Sequence, residues 1–151
     1  TYLNDENVED GIRDIDVSDQ VSIISKLKIV REQMVDLQRE MGRNSRIIMD
    51  GRDIGTVVFP DAEIKIFMTA SEEVRAKRRY DEIIAQGKEI LLQDVVTNIQ
   101  KRDMLDQTRE ESPLRKATDA IVLDNSNLNH SEQLDWVIRI LSEKYAKAFK
   151  K

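Results

Sequence analysis

Three short apolar runs constrain the fold of this chain more than any other feature. They read RIIMD (46–50), EIKIFMTA (63–70) and DAIVLD (119–124). Their apolar centres are continuous instead of strictly alternating, which is typical of strands covered on both faces. Helical patterns lie between and around them, and strands that alternate with helices indicate a parallel sheet. The sequence therefore predicts an α/β fold with a parallel sheet and flanking helices.

Five helices are predicted around these strands. Residues 26–42 place apolar side chains on one face and stop at a glycine; the face comprises Leu27, Val30, Met34, Leu37 and Met41. Ser71 begins a second helix, with acidic residues in its first turn, that runs to Gly87. A third helix covers about 92–108, and a short one starts at residues 18–20.

The ends of the chain carry two further local signals. Asn4 and Asp5, between apolar residues, predict the turn of a small hairpin. Residues 129–132 resemble a capping box, which begins a last helix. Its buried stripe is predicted to be Leu134, Val137, Ile138, Leu141 and Tyr145.

Composition excludes several classes of function. A net charge of -5 argues against general binding to nucleic acid or to a membrane surface. The chain has no cysteine and one histidine, which excludes disulfides, thiolate metal sites and histidine-rich metal sites. No apolar run approaches the roughly 20 residues of a membrane span. We therefore expect a cytoplasmic protein with no nucleic-acid or membrane partner. Because Thr1 opens the chain without methionine, we also expect it to be a fragment.

The first candidate motif is DGRD (50–53), which follows the first predicted strand. In parallel sheets, ligands bind at the carboxyl ends of strands. Asp50 could orient waters on a metal ion, and the planar fork of Arg52 suits phosphate. Asp53 could accept hydrogen bonds from an amino group. A surface turn with an internal ion pair is the alternative interpretation of so short a motif.

Two further motifs carry clustered charge. In KRDMLDQTR (101–109), the spacing of Arg102, Asp106 and Arg109 puts all three on one helix face, where they could bind an anion and a hydroxyl. An exposed salt bridge, stabilising by only about a few tenths of a kcal/mol, is the alternative. VRAKRR (74–79) could clamp polyphosphate, or it could be a solvated basic face.

Taken together, the motifs point to one family. The stretch MDGRDIGTVVFPDAEIKIFMTASEEVRAKRR, followed by RDMLDQTREESPL and DAIVLDNS, resembles bacterial cytidylate kinase from about Val8 to Leu141. The resemblance implies transfer of the γ-phosphoryl group of ATP, with Mg²⁺, to CMP or dCMP by a monomer. It also implies the P-loop-type nucleoside monophosphate kinase fold, incomplete at the N-terminus. Residues 1–26 would then belong to the inserted monophosphate-binding domain, and residues 27–151 to the core, with a lid at about 75–100.

The resemblance also implies roles for single residues. Ser22, Arg31 and Asp53 match the positions that read cytosine. Three arginines match positions around the CMP phosphate and the transferred group, and are the expected catalytic residues: Arg52, Arg102 and Arg109. Asp106 matches a position that binds the sugar hydroxyls. Asp50 would hold Mg²⁺ through water. The lid arginines that would meet ATP are Arg75, Arg78 and Arg79.

The sequence departs from the family pattern in one respect. It contains no phosphate-binding loop of the form G-x-x-x-x-G-K-[ST], and its only Gly-Lys pair, Gly87-Lys88, is followed by Glu89. We therefore expect negligible kinase activity from this chain alone. The alternatives are a CMP-binding module without catalysis and a kinase that prefers another monophosphate. A hydrolase that uses Asp50 and Asp53 is disfavoured by the surrounding arginines.

Overall fold

The computed structural model describes residues 1–9, 11–44 and 46–146, with the backbone alone for residues 13, 15, 16, 18, 19 and 22. The chain starts with an antiparallel hairpin of β1 (Tyr2–Leu3) and β2 (Glu6–Asn7). Asn4 and Asp5 have φ angles of 49° and 67°. Positive φ at both central residues is what a two-residue hairpin turn of type I′ requires. The predicted hairpin is confirmed.

Five α-helices follow, and their starts reflect local capping chemistry. They are α1 (Ile15–Ile24), α2 (Lys28–Gly42), α3 (Glu72–Ala85), α4 (Leu92–Thr108) and α5 (His130–Tyr145). The Ser71 hydroxyl accepts from the Val74 amide, and Asn129 and Glu132 form a complete capping box. Both caps were predicted, whereas α1 begins ahead of its predicted start at Ser18. None of these described helices is long and apolar enough to cross a membrane.

The central sheet pairs two strands in parallel, β3 (Ile66–Thr69) and β4 (Ile121–Asp124). Ile66 lies opposite Ile121, and Thr69 lies opposite Asp124. This pairing confirms the predicted α/β class with a parallel sheet. The strand predicted over 46–50 is wrong, because those residues adopt no regular element and no described segment pairs with them. Ile48 is 102% exposed, and a strand forms only where another strand satisfies its backbone groups.

The apolar side chains buried in the described part of the chain come from α2, α3, α4, β4 and the segment before β3. Its buried side chains are Val35, Val58, Ala76, Ile83, Val95 and Leu123. The stripe predicted to be buried on α5 is wrong, since Leu134 and Ile138 are 59% and 49% exposed. Helical periodicity identifies a face, but burial depends on what other elements cover it. The apolar face of α2 is likewise exposed at Met34, Leu37 and Met41, and Val35 is the buried residue of that helix.

Candidate functional site

The loop that carries DGRD closes into a π-helical turn, Ile54–Val58. The carbonyl of Asp53 accepts from the amides of Thr56, Val57 and Val58 at 3.2, 2.8 and 3.3 Å. Gly51 lies where a Cβ would be 2.9 Å from Cγ1 of Ile54. A larger residue there would therefore push the loop away from the turn. The turn fixes Asp53, whose side chain is 4% exposed, at the start of a rigid segment.

Asp53 forms an ion pair with Arg31 of α2. The pair joins residues 22 positions apart, because α2 packs along the turn. A carboxylate this deeply buried is stabilised by a cation that also donates hydrogen bonds to it. The structure therefore places the hydrogen-bond acceptor of Asp53 beside the hydrogen-bond donors of Arg31.

A second carboxylate organises two more arginines. Asp106, in the last turn of α4, lies 2.9 Å from Nε of Arg52 through Oδ2 and 3.7 Å from Nη1 of Arg109 through Oδ1. The chain then folds back, so that the Leu114 amide donates to the Asp106 carbonyl at 2.7 Å and Arg109 Nε donates to the Ser112 carbonyl at 2.7 Å. These two backbone contacts hold Asp106 and Arg109 in place.

Burial and repulsion by neighbouring positive charges lower the pKa values of Arg102 and Arg109. Burial lowers the pKa of Arg102, and the positive charges of Arg52 and Arg79 lower it further, while Asp106 and Asp103 oppose them. Burial also lowers the pKa of Arg109, with Arg31 and Arg52 adding to the effect and Asp106 and Asp53 opposing it. The ion pairs described above and these electrostatic influences relate six residues to one another, which we call the cluster: Arg31, Arg52, Asp53, Arg102, Asp106 and Arg109.

Several donors in this cluster have no acceptor. Nε of Arg31, Nε of Arg102 and Nη2 of Arg109 are buried without a hydrogen-bond partner in the described part of the chain. A buried charged donor left unpaired costs about 1–3 kcal/mol or more. The cluster holds four arginines against two aspartates, so it carries an excess of positive charge. This arrangement suits a bound anion that offers several acceptor oxygens.

The three arginines predicted to belong to a lid lie in different surroundings. Arg79 lies close enough to Arg102 to affect its pKa, and it also contacts Glu82 at 2.8 Å. Arg75 pairs with Asp103 at 2.7 Å, which ties α3 to α4. Arg78 points away, donating to Oδ1 and the carbonyl of Asn125, at 3.0 and 2.7 Å, in the loop after β4. Of the three, Arg79 is the one whose charge lowers the pKa of Arg102.

Two predicted site residues remain, Asp50 and Ser22. Asp50 is exposed and pairs with no described residue. Ser22 belongs to α1, but its side chain lies outside the described residues. No group of three or more acidic or histidine side chains that could hold a metal occurs among the residues that the structure describes.

The sequence interpretation missed one residue that contacts this region directly. Arg39 of α2 donates to the carbonyls of Val57 and Val58, which end the π-helical turn. Its position about two helical turns after Arg31 places it along the same helix, and this spacing is the only sequence signal that could have indicated it.

Comparisons with known proteins give the family. The sequence model of the family described as Cytidylate kinase matches residues 1–143. The cytidylate kinase of Bacteroides fragilis is 57% identical over 150 residues, which cover 99% of this chain and 64% of that protein. The cytidylate kinase of Phocaeicola vulgatus is 55% identical over 148 residues, 98% of this chain and 63% of that protein. That of Flavobacterium psychrophilum is 52% identical over 141 residues, 93% and 62% respectively.

These matches place the chain in a family of phosphotransferases. It belongs to the cytidylate kinase family, as the sequence motifs predicted. The chain spans a little under two thirds of the length of the curated relatives that it matches.

Proposed function

We propose that this chain carries the CMP- and dCMP-binding site of an ATP-dependent nucleoside monophosphate kinase. The observation that carries the proposal is the buried Arg31–Asp53 pair beside arginines whose donors lack acceptors. The pair supplies a recognition surface for a base, and the arginines supply one for a phosphate. Family membership adds independent support.

The base-reading role follows from hydrogen-bond complementarity. Cytosine presents an amino donor at N4 beside the N3 acceptor, which matches the acceptor of Asp53 beside the donor of Arg31. Uracil presents the reverse, a carbonyl at O4 beside the N3–H donor. In a buried site the mismatched groups stay unpaired at about 1–3 kcal/mol each. Discrimination of about 10- to 100-fold against UMP is therefore expected. In this proposal Ser22 would add a hydroxyl acceptor for N4.

The phosphate-binding role falls to Arg52, Arg102 and Arg109. Phosphoryl transfer needs little covalent chemistry from the protein, which mainly positions the reactants and neutralises the developing charge. Fixed guanidinium groups do this well where water is excluded, and Arg109 is the buried member of the three. Asp106 limits repulsion among the arginines and would accept from a sugar hydroxyl.

The phosphoryl donor in this proposal is ATP, together with magnesium. ATP would approach from the lid, where the positive charge of Arg79 acts on Arg102. Asp50 is the proposed magnesium ligand, through water, but the described residues provide no complete metal site. We therefore derive no step of the reaction through the metal. We further propose that the protein is a cytoplasmic monomer that binds neither nucleic acid nor a membrane.

Titration calorimetry of the 151-residue chain tests the binding site. We expect CMP to bind at least about tenfold more tightly than UMP, and Asp53→Asn to remove this preference. Asp61→Asn, which changes an exposed aspartate in the same region, serves as the control. Equal binding of CMP and UMP by the unmodified chain would contradict the proposal.

A CMP-binding module without transfer activity is the second candidate, because the sequence lacks a glycine-rich phosphate-binding loop. The two candidates share the CMP site and differ in catalysis. Formation of CDP from CMP and ATP by the purified chain would favour the kinase. CMP binding without CDP formation would favour the module.

A further inference from the structure

A second arginine of α2 holds the π-helical turn that begins at Asp53. Arg39 Nη2 donates to the Val57 carbonyl at 2.8 Å, and its Nε donates to the Val58 carbonyl at 3.2 Å. The last carbonyls of a helical turn lack partners within that turn. A planar guanidinium can satisfy two adjacent carbonyls at once, whereas an ammonium group donates from a single point.

The two ends of the turn are thus fastened to the same helix. At its start, the Asp53 carboxylate pairs with Arg31. At its end, Arg39 binds the carbonyls of Val57 and Val58. Between them, the Asp53 carbonyl accepts from three amides of the turn. The backbone of the turn therefore transmits the position of Arg39 to Asp53.

A third contact fixes α2 against the residue that follows the turn. Gly42, the last residue of α2, lies so close to Phe59 that a Cβ there would be 2.6 Å from Cζ of the ring. This close approach sets the distance between α2 and the turn. Arg39 lies between Arg31 and Gly42 along the helix and adds its two hydrogen bonds to the turn.

We propose that Arg39 is a positioning residue for pyrimidine recognition. It touches neither base nor phosphate, and it acts by holding the turn so that Asp53 and Arg31 face the base in register. This inference rests on the proposed function, because it assigns to Arg39 the orientation of the pair that reads cytosine. Loss of Arg39 should therefore impair base discrimination more than phosphate binding.

Titration of the full chain with CMP, UMP and inorganic phosphate tests this assignment. For Arg39→Gln we expect CMP affinity to fall about tenfold, with UMP and phosphate changed by less than about threefold. Arg39→Lys retains one donor and should give an intermediate loss of discrimination. Arg43→Gln is the matched control, since Arg43 is an exposed arginine next to the same helix end and its Nη1 lies 2.9 Å from Glu40. It should leave all three affinities within about twofold.

The results that would contradict this inference differ from those that would contradict the proposed function. The inference is overturned if Arg39→Gln keeps the affinity and discrimination of the unmodified chain, or if it weakens CMP, UMP and phosphate equally. If the unmodified chain itself bound CMP and UMP alike, the proposed function would fail instead.

Amide hydrogen exchange provides a second measurement that does not depend on nucleotide. In Arg39→Lys, exchange at the amides of Thr56, Val57 and Val58 should be at least about fivefold faster than in the unmodified chain. If Arg39→Gln does not fold, as judged by circular dichroism, this milder variant decides the question. Unchanged exchange at these amides would overturn the inference.

Discussion

Nε of Arg52 lies 2.9 Å from Oδ2 of Asp106, and this contact ties the DGRD loop to the last turn of α4. The same carboxylate lies beside Arg109. One buried aspartate therefore separates the positive charges of two chain segments that are far apart in sequence. Without it, these cations would face each other across the cluster.

Replacement of this carboxylate should destabilise the protein. We expect Asp106→Asn to lower the free energy of unfolding by about 2 kcal/mol. This is less than the roughly 3–5 kcal/mol of a fully buried pair, because Arg52 is 47% exposed. Urea unfolding followed by circular dichroism measures the change. Asp81→Asn, at an exposed pair with Lys77, is the control, and an equal effect of the two variants would argue against a central role for Asp106.

Replacement of Arg102, in contrast to that of Asp106, should stabilise the protein while it weakens phosphate binding. Its Nε is buried without a partner in the described structure, and the positive charges of Arg52 and Arg79 act against it, so its removal should relieve a cost. We expect Arg102→Met to raise the free energy of unfolding by about 1 kcal/mol and to weaken phosphate binding at least about tenfold. Calorimetry and urea unfolding give the two quantities. Arg139→Met, at an exposed position of α5, should change neither, and loss of stability in Arg102→Met would contradict the assignment.

Gly42 should not tolerate a methyl group. A Cβ at this position would lie 2.6 Å from Cζ of Phe59 and 2.9 Å from Cδ1 of Ile47. We expect Gly42→Ala to lower the free energy of unfolding by about 1–3 kcal/mol, because the aromatic ring must shift. Gly11→Ala is the matched control, since its Cβ would meet nothing within 4 Å. Thermal unfolding of the two variants distinguishes steric conflict from a general effect of losing glycine.

An ion pair at the start of β3 should make stability depend on pH in acid. Nζ of Lys65 donates to both carboxylate oxygens of Asp119, at 2.8 and 3.0 Å, and this hydrogen bonding lowers the pKa of Asp119 below its ordinary value of 3.8. A lowered folded-state pKa gives stability that is complete above the unfolded value and is lost as the pH falls through the folded value. Asp119→Asn should therefore flatten the loss of stability below about pH 4.

Urea unfolding midpoints at a series of acidic pH values measure this effect. Because Asp119 is 60% exposed, high salt should reduce the difference between Asp119→Asn and the unmodified chain. Asp61→Asn serves as the control for removal of an exposed carboxylate. Parallel pH profiles for Asp119→Asn and the unmodified chain would refute the prediction.

Local chemistry made much of the fold predictable. The Asn4–Asp5 turn, the Ser71 cap and the Asn129–Glu132 capping box each depend on residues within a few positions of one another. Such interactions can be inferred from sequence because the chain brings their partners together locally.

Features that depend on distant partners were less predictable. The strand predicted over 46–50 did not form, since a strand needs hydrogen bonds from another segment. The apolar stripe of α5 identified a face but not whether anything covers it. Arg39 went unnoticed because its contacts with the carbonyls of Val57 and Val58 cross 18 and 19 positions and involve no particular side-chain type.

The unpartnered donors of Arg31, Arg102 and Arg109 also affect how this protein behaves in ordinary buffers. A ligand that binds only the folded state stabilises it by RT ln(1 + [L]/Kd), about 2.7 kcal/mol at a hundredfold excess over Kd. Any small oxyanion that binds the cluster therefore raises the measured free energy of unfolding. Two laboratories that work in phosphate and in an oxyanion-free buffer would report different melting temperatures for the same molecule.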